Sequence, residues 1–267
     1  MIFFDSSLPY YLIKSCKKEF NTRLCNTLQI GTLDFYRKSG DPTIVDVHEG
    51  HYNIDFDLRC IHAEKDLHLK LMNLSNYDKN IFVDSIQGIG PSFISKNRSF
   101  YHTLIGKINF THHNKFILCF SGDINPEKPQ DTFQNYDDVW HLERKNIKKG
   151  IKLITNDLFE HVKKELKNGK KIFLEPFNAK HLNVQSALDK IIYKPRMIKL
   201  KNIDYYKDPD FIYRMQYDIP ITKPLSYSSE REYRISFTFS ADGYTLTPAI
   251  DSLIIPTDSF SKFLRSI

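Results

Sequence analysis

The sequence predicts an α+β protein with mixed, mainly antiparallel sheets and flanking helices. Segments in which apolar and polar residues alternate with period two outnumber segments with helical spacing. The 267 residues, 41% of them hydrophobic, suffice for one large domain or two small ones. Because no internal repeat and no Pro/Gly/Ser linker is visible, we expect a single domain over residues 1–267.

The first half of the chain predicts strands separated by polar loops. A short strand, a polar helix from Lys17 to Leu24 and an alternating strand from Leu28 to Arg37 fill the N-terminal segment. Further alternation predicts strands over 54–58 and 67–71. Phe116 to Ser121 is a continuous apolar run, typical of a strand buried on both faces.

The second half begins with a Pro/Asp/Asn-rich stretch around 122–140, long enough to be an insertion, a lid or a substrate loop. Gly150 to Ile154 predicts a strand, and Thr155-Asn156-Asp157 predicts the start of a helix that ends at Lys167 before Gly169. The sequence further predicts strands over 170–177 and 196–203, with a short helix over 184–192.

The clearest strand lies near the C-terminus, where one face is apolar and the other polar. On its polar face Glu230 and Glu232 would lie about 6.5–7 Å apart at their Cα atoms, with Arg234 beside them. Such a pair can stabilise an incipient cation and accept a proton from a nucleophile. A solvated face with an ordinary Glu–Arg pair is the alternative.

Two other positions could contribute to a site. Tyr36-Arg37, followed by Asp46 and Glu49, forms a polar cluster in which Arg37 could grip a phosphate or lie at the surface. Trp140, the only tryptophan, fits either a core position or an aromatic platform for a base or nicotinamide ring.

Composition excludes several classes of protein. No P-loop, Rossmann fingerprint, nucleophile elbow or zincin motif is present, and the four cysteines form no C-x-x-C pair. The net charge of +6 fits either a solubility surface or attraction to a nucleotide or nucleic acid. No segment approaches the roughly 20 apolar residues of a membrane span, so we expect a cytoplasmic protein with no membrane partner.

Taken in chain order, these pieces resemble an uncharacterised bacterial domain family with a C-terminal Glu-x-Glu-Tyr/Trp-Arg strand. The matching segments are Cys119-Phe120-Ser121, Trp140 through Gly150-Ile151, Ile191-Ile192-Tyr193, and Lys223 followed by Glu230-Arg231-Glu232-Tyr233-Arg234-Ile235.

The same order also resembles ADP-ribosyltransferases of the Arg–Ser–Glu type, which implies that fold and NAD as a substrate. By that resemblance Glu232 stabilises the oxocarbenium-like ribose and Glu230 prepares the acceptor nucleophile. Arg37 holds the pyrophosphate, Ser121 orients the catalytic glutamate, and Tyr36, Trp140 and Arg234 supply further cofactor contacts. The usual Ser-Thr-Ser triplet is reduced here to Ser121 followed by Gly122, and Arg37 follows a Tyr in its segment.

The resemblance implies an enzyme that cleaves NAD and modifies a macromolecule, with nucleic acid favoured over protein by the basic charge. A role as a toxin or anti-phage effector, with an antitoxin or chaperone as partner, follows from the same likeness. No metal is expected.

Two other functions stay open. One is a nuclease that binds divalent ions through Asp46, Glu49, Glu230 and Glu232. The other is a non-catalytic module that holds an acidic partner through Arg37, Arg234 and the Lys-rich helices.

Overall fold

The computed structural model describes residues 3–4, 8–40, 46–74, 81–89, 92–122, 135–211 and 221–266. Its strands are β1 (Phe3–Phe4), β2 (Tyr11–Cys16), β3 (Thr27–Thr32), β4 (His51–Glu64), β5 (Ile81–Ile89), β6 (Ser92–Ser95), β7 (Arg98–Thr111), β8 (Phe116–Gly122), β9 (Asp138–Glu143), β10 (Asn183–Lys190), β11 (Ile192–Tyr193), β12 (Met197–Leu200), β13 (Thr222–Lys223), β14 (Glu232–Ala241), β15 (Tyr244–Thr245) and β16 (Ser252–Pro256). Its α-helices are α1 (Thr22–Cys25), α2 (Leu33–Lys38), α3 (Leu67–Met72), α4 (Arg144–Lys167), α5 (Asn202–Lys207) and α6 (Asp258–Arg265). Short 3₁₀ helices cover Lys18–Phe20, Ala179–His181 and Leu225–Glu230.

These elements confirm the predicted α+β class with mainly antiparallel sheets. The structure divides into two compact units, and the expectation of a single domain over residues 1–267 stays a prediction. The first unit comprises residues 1–49, 114–191 and 226–267, and the second comprises residues 50–113 and 192–225.

The first unit is built on one sheet with the strand order β1-β10-β14-β8-β2-β9. β3 pairs with β8 and β16, and β15 pairs with β14. β1 runs parallel to β10, whereas β14 is antiparallel to both β10 and β8. β14 and β8 are therefore interior strands with a partner on each side.

The core of this unit lies on one face of the sheet. Alternate residues of β14, from Tyr233 to Phe239, join Phe116, Leu118 and Phe120 of β8 in that core. The long helix α4 packs there because its buried residues recur at helical spacing, at Ile147, Ile151, Ile154, Leu158 and Val162. The strand predicted over 150–154 is wrong, since these residues lie inside α4.

The second unit contains a separate sheet with the order β12-β4-β7-β5, and β6 pairs with β7. Even-numbered residues from Tyr52 to Leu58 enter its core, as the predicted alternation over 54–58 requires. The predicted strand over 67–71 is instead the helix α3, whose Leu67 and Leu71 are buried one turn apart. β11 and β13 form a small parallel pair.

Two further segments depart from the predicted secondary structure. The strand predicted from Leu28 to Arg37 ends at Thr32, whose hydroxyl accepts from the Phe35 N–H at 3.2 Å and caps α2. The helix predicted over 184–192 is mostly β10, because its residues pair along their length with β14.

Residues 170–177 form no extended strand but an isolated bridge between Phe173 and Pro248. Most of the insertion predicted around 122–140, residues 123–134, lies outside the described part of the chain, and β9 begins at its end. No helix within the described ranges has the length and apolar character to cross a membrane.

Candidate functional site

The polar face of the first unit's sheet brings most of the sequence-predicted residues together. In the register of β14 and β8, Glu232 lies opposite Ser121 and Arg234 lies opposite Cys119. On the other side of β14, Asp189 of β10 lies opposite Arg234. Because side chains alternate along a strand, all five project from the face opposite the apolar core.

Arg234 is the centre of a buried ion cluster on this face. Its Nε and Nη2 donate to Oε1 of Glu232 at 3.0 and 2.8 Å, and its Nη1 donates to Oε1 of Glu49 at 3.0 Å. Arg234, Glu232 and Glu49 are 1%, 3% and 1% exposed. Burial alone would lower the pKa of Arg234, but the charges of Glu232 and Glu49 outweigh it and hold that pKa well above its ordinary value.

Helix α2 positions Glu49. The Tyr36 carbonyl accepts from the Asp46 N–H at 3.1 Å, and the Asp46 carbonyl accepts from the Glu49 N–H at 2.8 Å. Arg37 then donates from Nε to the Glu49 carbonyl oxygen at 2.6 Å. The turn over 46–49 is therefore fixed to consecutive residues of α2, and this holds the Glu49 carboxylate beside Arg234.

Tyr36 connects α2 to the strands beneath it. Burial, a hydrogen bond to the Cys119 side chain and the charge of Glu232 all raise the pKa of its phenol well above the ordinary value, against a smaller lowering by Arg234. The phenol therefore stays neutral and can act as a hydrogen-bond donor on this face.

Arg37 lies on α2 and not on a strand, which corrects the expected early strand arginine. Besides its bond to Glu49 it pairs through Nη1 with Asp34. Its remaining nitrogen, Nη2, is buried and has no hydrogen-bond partner within the described ranges.

The alternation predicts that Glu230 and Glu232 share one strand, but in the structure they do not. It ends the 3₁₀ helix Leu225–Glu230, and β14 begins two residues later. Arg231 between them has φ +46°, a left-handed conformation that breaks the alternation. Its carbonyl accepts from the Gly122 N–H at 2.9 Å, and Glu230 itself is buried.

Two expected cofactor contacts are corrected by their positions. Trp140 is 1% exposed in the apolar core, where Phe120 and Phe260 lie edge-on at 5.5 Å between ring centroids, so it offers no open face to a base. All three nitrogens of the Arg234 guanidinium group donate to Glu232 or Glu49, so its role is to hold these carboxylates.

The proposed nuclease ligands do not assemble into a metal site in the described ranges. The Arg234 guanidinium occupies the space between the carboxylates of Glu49 and Glu232. Within the residues that the structure describes, no group of three or more His, Cys, Asp or Glu side chains could hold a metal ion.

Sequence reasoning missed Lys115 and Asp189 on the same face. Burial lowers the pKa of the Lys115 ammonium to about 8, although Asp189 opposes this, and Arg234 lowers it further. Lys115 immediately precedes the apolar run of β8, and its sequence spacing of four from Cys119 and six from Ser121, which puts all three on one face of a strand, was the available signal.

Comparison with family models, curated proteins and solved structures finds no match to this chain.

Proposed function

We propose that this chain is an ADP-ribosyltransferase-like enzyme that cleaves NAD and transfers ADP-ribose to a macromolecule. The observation that carries the proposal is the convergence of Arg37, Ser121 and Glu232. Ser121 lies across the strand pair from Glu232. Arg37 donates to the backbone carbonyl of Glu49, and the Glu49 side chain belongs to the same ion cluster as Glu232. These three residues, remote in sequence, are those that the resemblance to Arg–Ser–Glu transferases selects.

In the proposed reaction, the bond between the nicotinamide nitrogen and C1′ of the ribose breaks, and its electron pair leaves on nicotinamide, which becomes neutral. The Glu232 carboxylate stabilises the cationic ribose that remains. An acceptor O–H or N–H forms the new bond to C1′, and its proton passes to a carboxylate. Glu230, buried just before β14, is the candidate for that base.

The cluster itself favours a cationic centre. One guanidinium and two carboxylates leave a net charge of −1 in a region that is almost entirely covered. A developing positive charge beside Glu232 would be stabilised strongly there because the local dielectric constant is low. Because Glu232 is only 3% exposed, NAD reaches it only if a covering segment moves, and the 46–49 turn is the segment bound to it through Arg234.

Nucleic acid is the favoured acceptor. The chain carries a net charge of +6, and α4 presents a row of lysines to solvent along its 24 residues. The exposed lysines of this row are Lys145, Lys148, Lys149, Lys152, Lys164 and Lys167.

The test is incubation of the full chain with labelled NAD and RNA, DNA or total cell protein, with release of nicotinamide measured in parallel. Glu232→Gln should lower both signals at least about a hundredfold, as loss of an electrostatic stabiliser does. Glu160→Gln, an exposed change on α4, serves as the matched control. Circular dichroism of each variant separates lost chemistry from lost folding.

Activity should persist in excess chelator, whereas the nuclease alternative requires it to vanish. The proposal fails if the wild-type chain releases no nicotinamide, or if Glu232→Gln is as active as the wild type. A folded Ser121→Ala variant supplies a second check, with an expected loss of about tenfold from a misoriented carboxylate.

A non-catalytic module for an acidic partner is the second candidate, favoured by the exposed lysines of α4. It predicts salt-sensitive binding of nucleic acid by α4 with no turnover of NAD. In that case Lys148→Gln combined with Lys152→Gln weakens binding, while Glu232→Gln leaves it unchanged.

A further inference from the structure

Lys115 stands apart from the other basic groups on the polar face of the first unit's sheet. Arg234, on the same face, donates from all three of its guanidinium nitrogens to two glutamates. The half-buried ammonium of Lys115 makes no hydrogen bond or ion pair with any residue in the described ranges. Lysine is rarely covered without a partner, because desolvating its charge is costly.

The backbone of Lys115 is fixed next to the helix that carries Arg37. The Lys115 carbonyl accepts from the Leu33 N–H at 3.3 Å, and the Asn114 side chain accepts from the Asp34 N–H at 3.1 Å. Both acceptors lie at the first turn of α2. Arg37 follows four residues after Leu33, a rise of about 6 Å along the helix.

Two charged groups act on the Lys115 ammonium from the neighbouring strands. Asp189 on β10 attracts it and Arg234 on β14 repels it. Within the described ranges Asp189 and Arg234 are the charged residues that act on the Lys115 ammonium, and Asp189 forms no ion pair with it. An anionic ligand would supply the missing partner, and the leftover Nη2 of Arg37 supplies a second donor from α2.

We propose that Lys115 is an anion-binding residue that, together with Arg37, holds the diphosphate of the dinucleotide. This deepens the proposed function and rests on it for the identity of the ligand. The ordinary pKa of lysine, 10.5, falls here to about 8, mainly through burial. A bound diphosphate favours the protonated form, so binding should draw a proton onto Lys115 as the pH rises.

The experiment is calorimetric titration of the full chain with ADP-ribose at pH 7, 8 and 9, in two buffers of different ionisation enthalpy. ADP-ribose suits the purpose because its diphosphate does not titrate in this range. If the free ammonium titrates near pH 8 and the bound one does not, affinity falls about tenfold between pH 7 and pH 9. Proton uptake should then grow over the same interval.

Three variants sharpen the result. Lys115→Gln should weaken binding at least tenfold at pH 7 and flatten the pH profile. Lys115→Arg, which stays charged, should retain most of the affinity at pH 9. Lys262→Gln, an exposed change on α6, should behave as the wild type.

The inference is overturned if ADP-ribose does not bind the wild-type chain, or if Lys115→Gln binds within twofold of it with the same pH profile. Release of nicotinamide, measured in parallel, keeps the two proposals apart. Binding of ADP-ribose that depends on Lys115, without any NAD cleavage, would support the anion site and overturn the transferase proposal. NAD cleavage, with ADP-ribose binding that does not depend on Lys115, would support the transferase proposal and overturn the anion site.

Discussion

Arg234 donates twice to a single oxygen of Glu232, from Nε at 3.0 Å and from Nη2 at 2.8 Å. The third nitrogen of the same guanidinium reaches Glu49, a residue 185 positions earlier in the chain. The planar guanidinium thereby fixes the positions of two carboxylates that would otherwise repel each other. A long-range ion cluster thus joins the 46–49 turn to the centre of the sheet.

Replacing Arg234 by Met should destabilise the first unit strongly. The substitution leaves Glu49 and Glu232 buried without their cation, and breaking a buried pair in this way costs about 3–5 kcal/mol. The free energy of unfolding from urea titrations, followed by circular dichroism at pH 7, measures the effect.

Arg59→Gln is the comparison for that experiment. Arg59 pairs with Asp57, but their side chains are 58% and 55% exposed. Such an exposed pair contributes little to stability, because solvent and salt screen it. Equal losses for Arg234→Met and Arg59→Gln would contradict the structural role assigned to the buried cluster.

Because of Lys115, the free energy of unfolding should depend on pH between about pH 8 and pH 10.5. Its pKa is about 8 in the folded chain and 10.5 when unfolded, so the unfolded chain binds more protons between these values. Stability should therefore rise as the pH increases from 8 to 10.5. The charged lysine imposes its full cost below pH 8.

Lys115→Met removes that cost. At pH 7 the gain should be on the order of 1–3 kcal/mol, because about 1.4 kcal/mol per pKa unit is reduced by partial solvent screening. The gain should vanish near pH 10.5. Urea titrations of both proteins at pH 7 and 10 give the answer, and a difference independent of pH would refute the assignment.

The strands around the site were predictable from local pattern. The alternation over 233–239 and the apolar run over 116–121 correspond to β14 and β8, since each pattern follows the burial of a sheet face. Helix α2 could also have been found. Thr32 is a good N-cap, Asp34 lies in the first turn, and Arg37 lies in the last, as the helix dipole favours.

Other features had no local signal. The left-handed conformation of Arg231, which separates Glu230 from Glu232, occurs at a residue type that rarely adopts it. The partnership of Glu49 with Arg234 depends on tertiary packing across 185 residues of chain. Sequence periodicity predicts the sheet face on which Arg234 lies, but it does not predict that Glu49 will be the carboxylate that contacts it.

Gly122 is explained by the ring of Tyr233. A Cβ at Gly122 would collide with Cδ2 and Cε2 of that ring, which is 5% exposed and cannot move freely. Gly122→Ala should therefore cost about 1–3 kcal/mol through overpacking. Gly40→Ala, where nothing lies within 4 Å of the added methyl group, should be nearly neutral.

The partner of this clash can be tested directly by urea titration. If the Tyr233 ring is the obstacle, combining Gly122→Ala with Tyr233→Leu should cost less than the sum of the two single changes. Strict additivity would show that the alanine acts elsewhere, for example on the bond between the Gly122 N–H and the Arg231 carbonyl.

Trp140 should contribute to stability and not to ligand binding. It packs edge-on against Phe120 and Phe260 within the core beneath α4. Trp140→Phe should lower the free energy of unfolding by about 1–3 kcal/mol, because it leaves a cavity that the core fills only in part. At temperatures where the variant is folded, its affinity for ADP-ribose should equal that of the wild type. A selective loss of that affinity, with stability intact, would instead place the indole at the ligand, contrary to its position on the apolar side of the sheet.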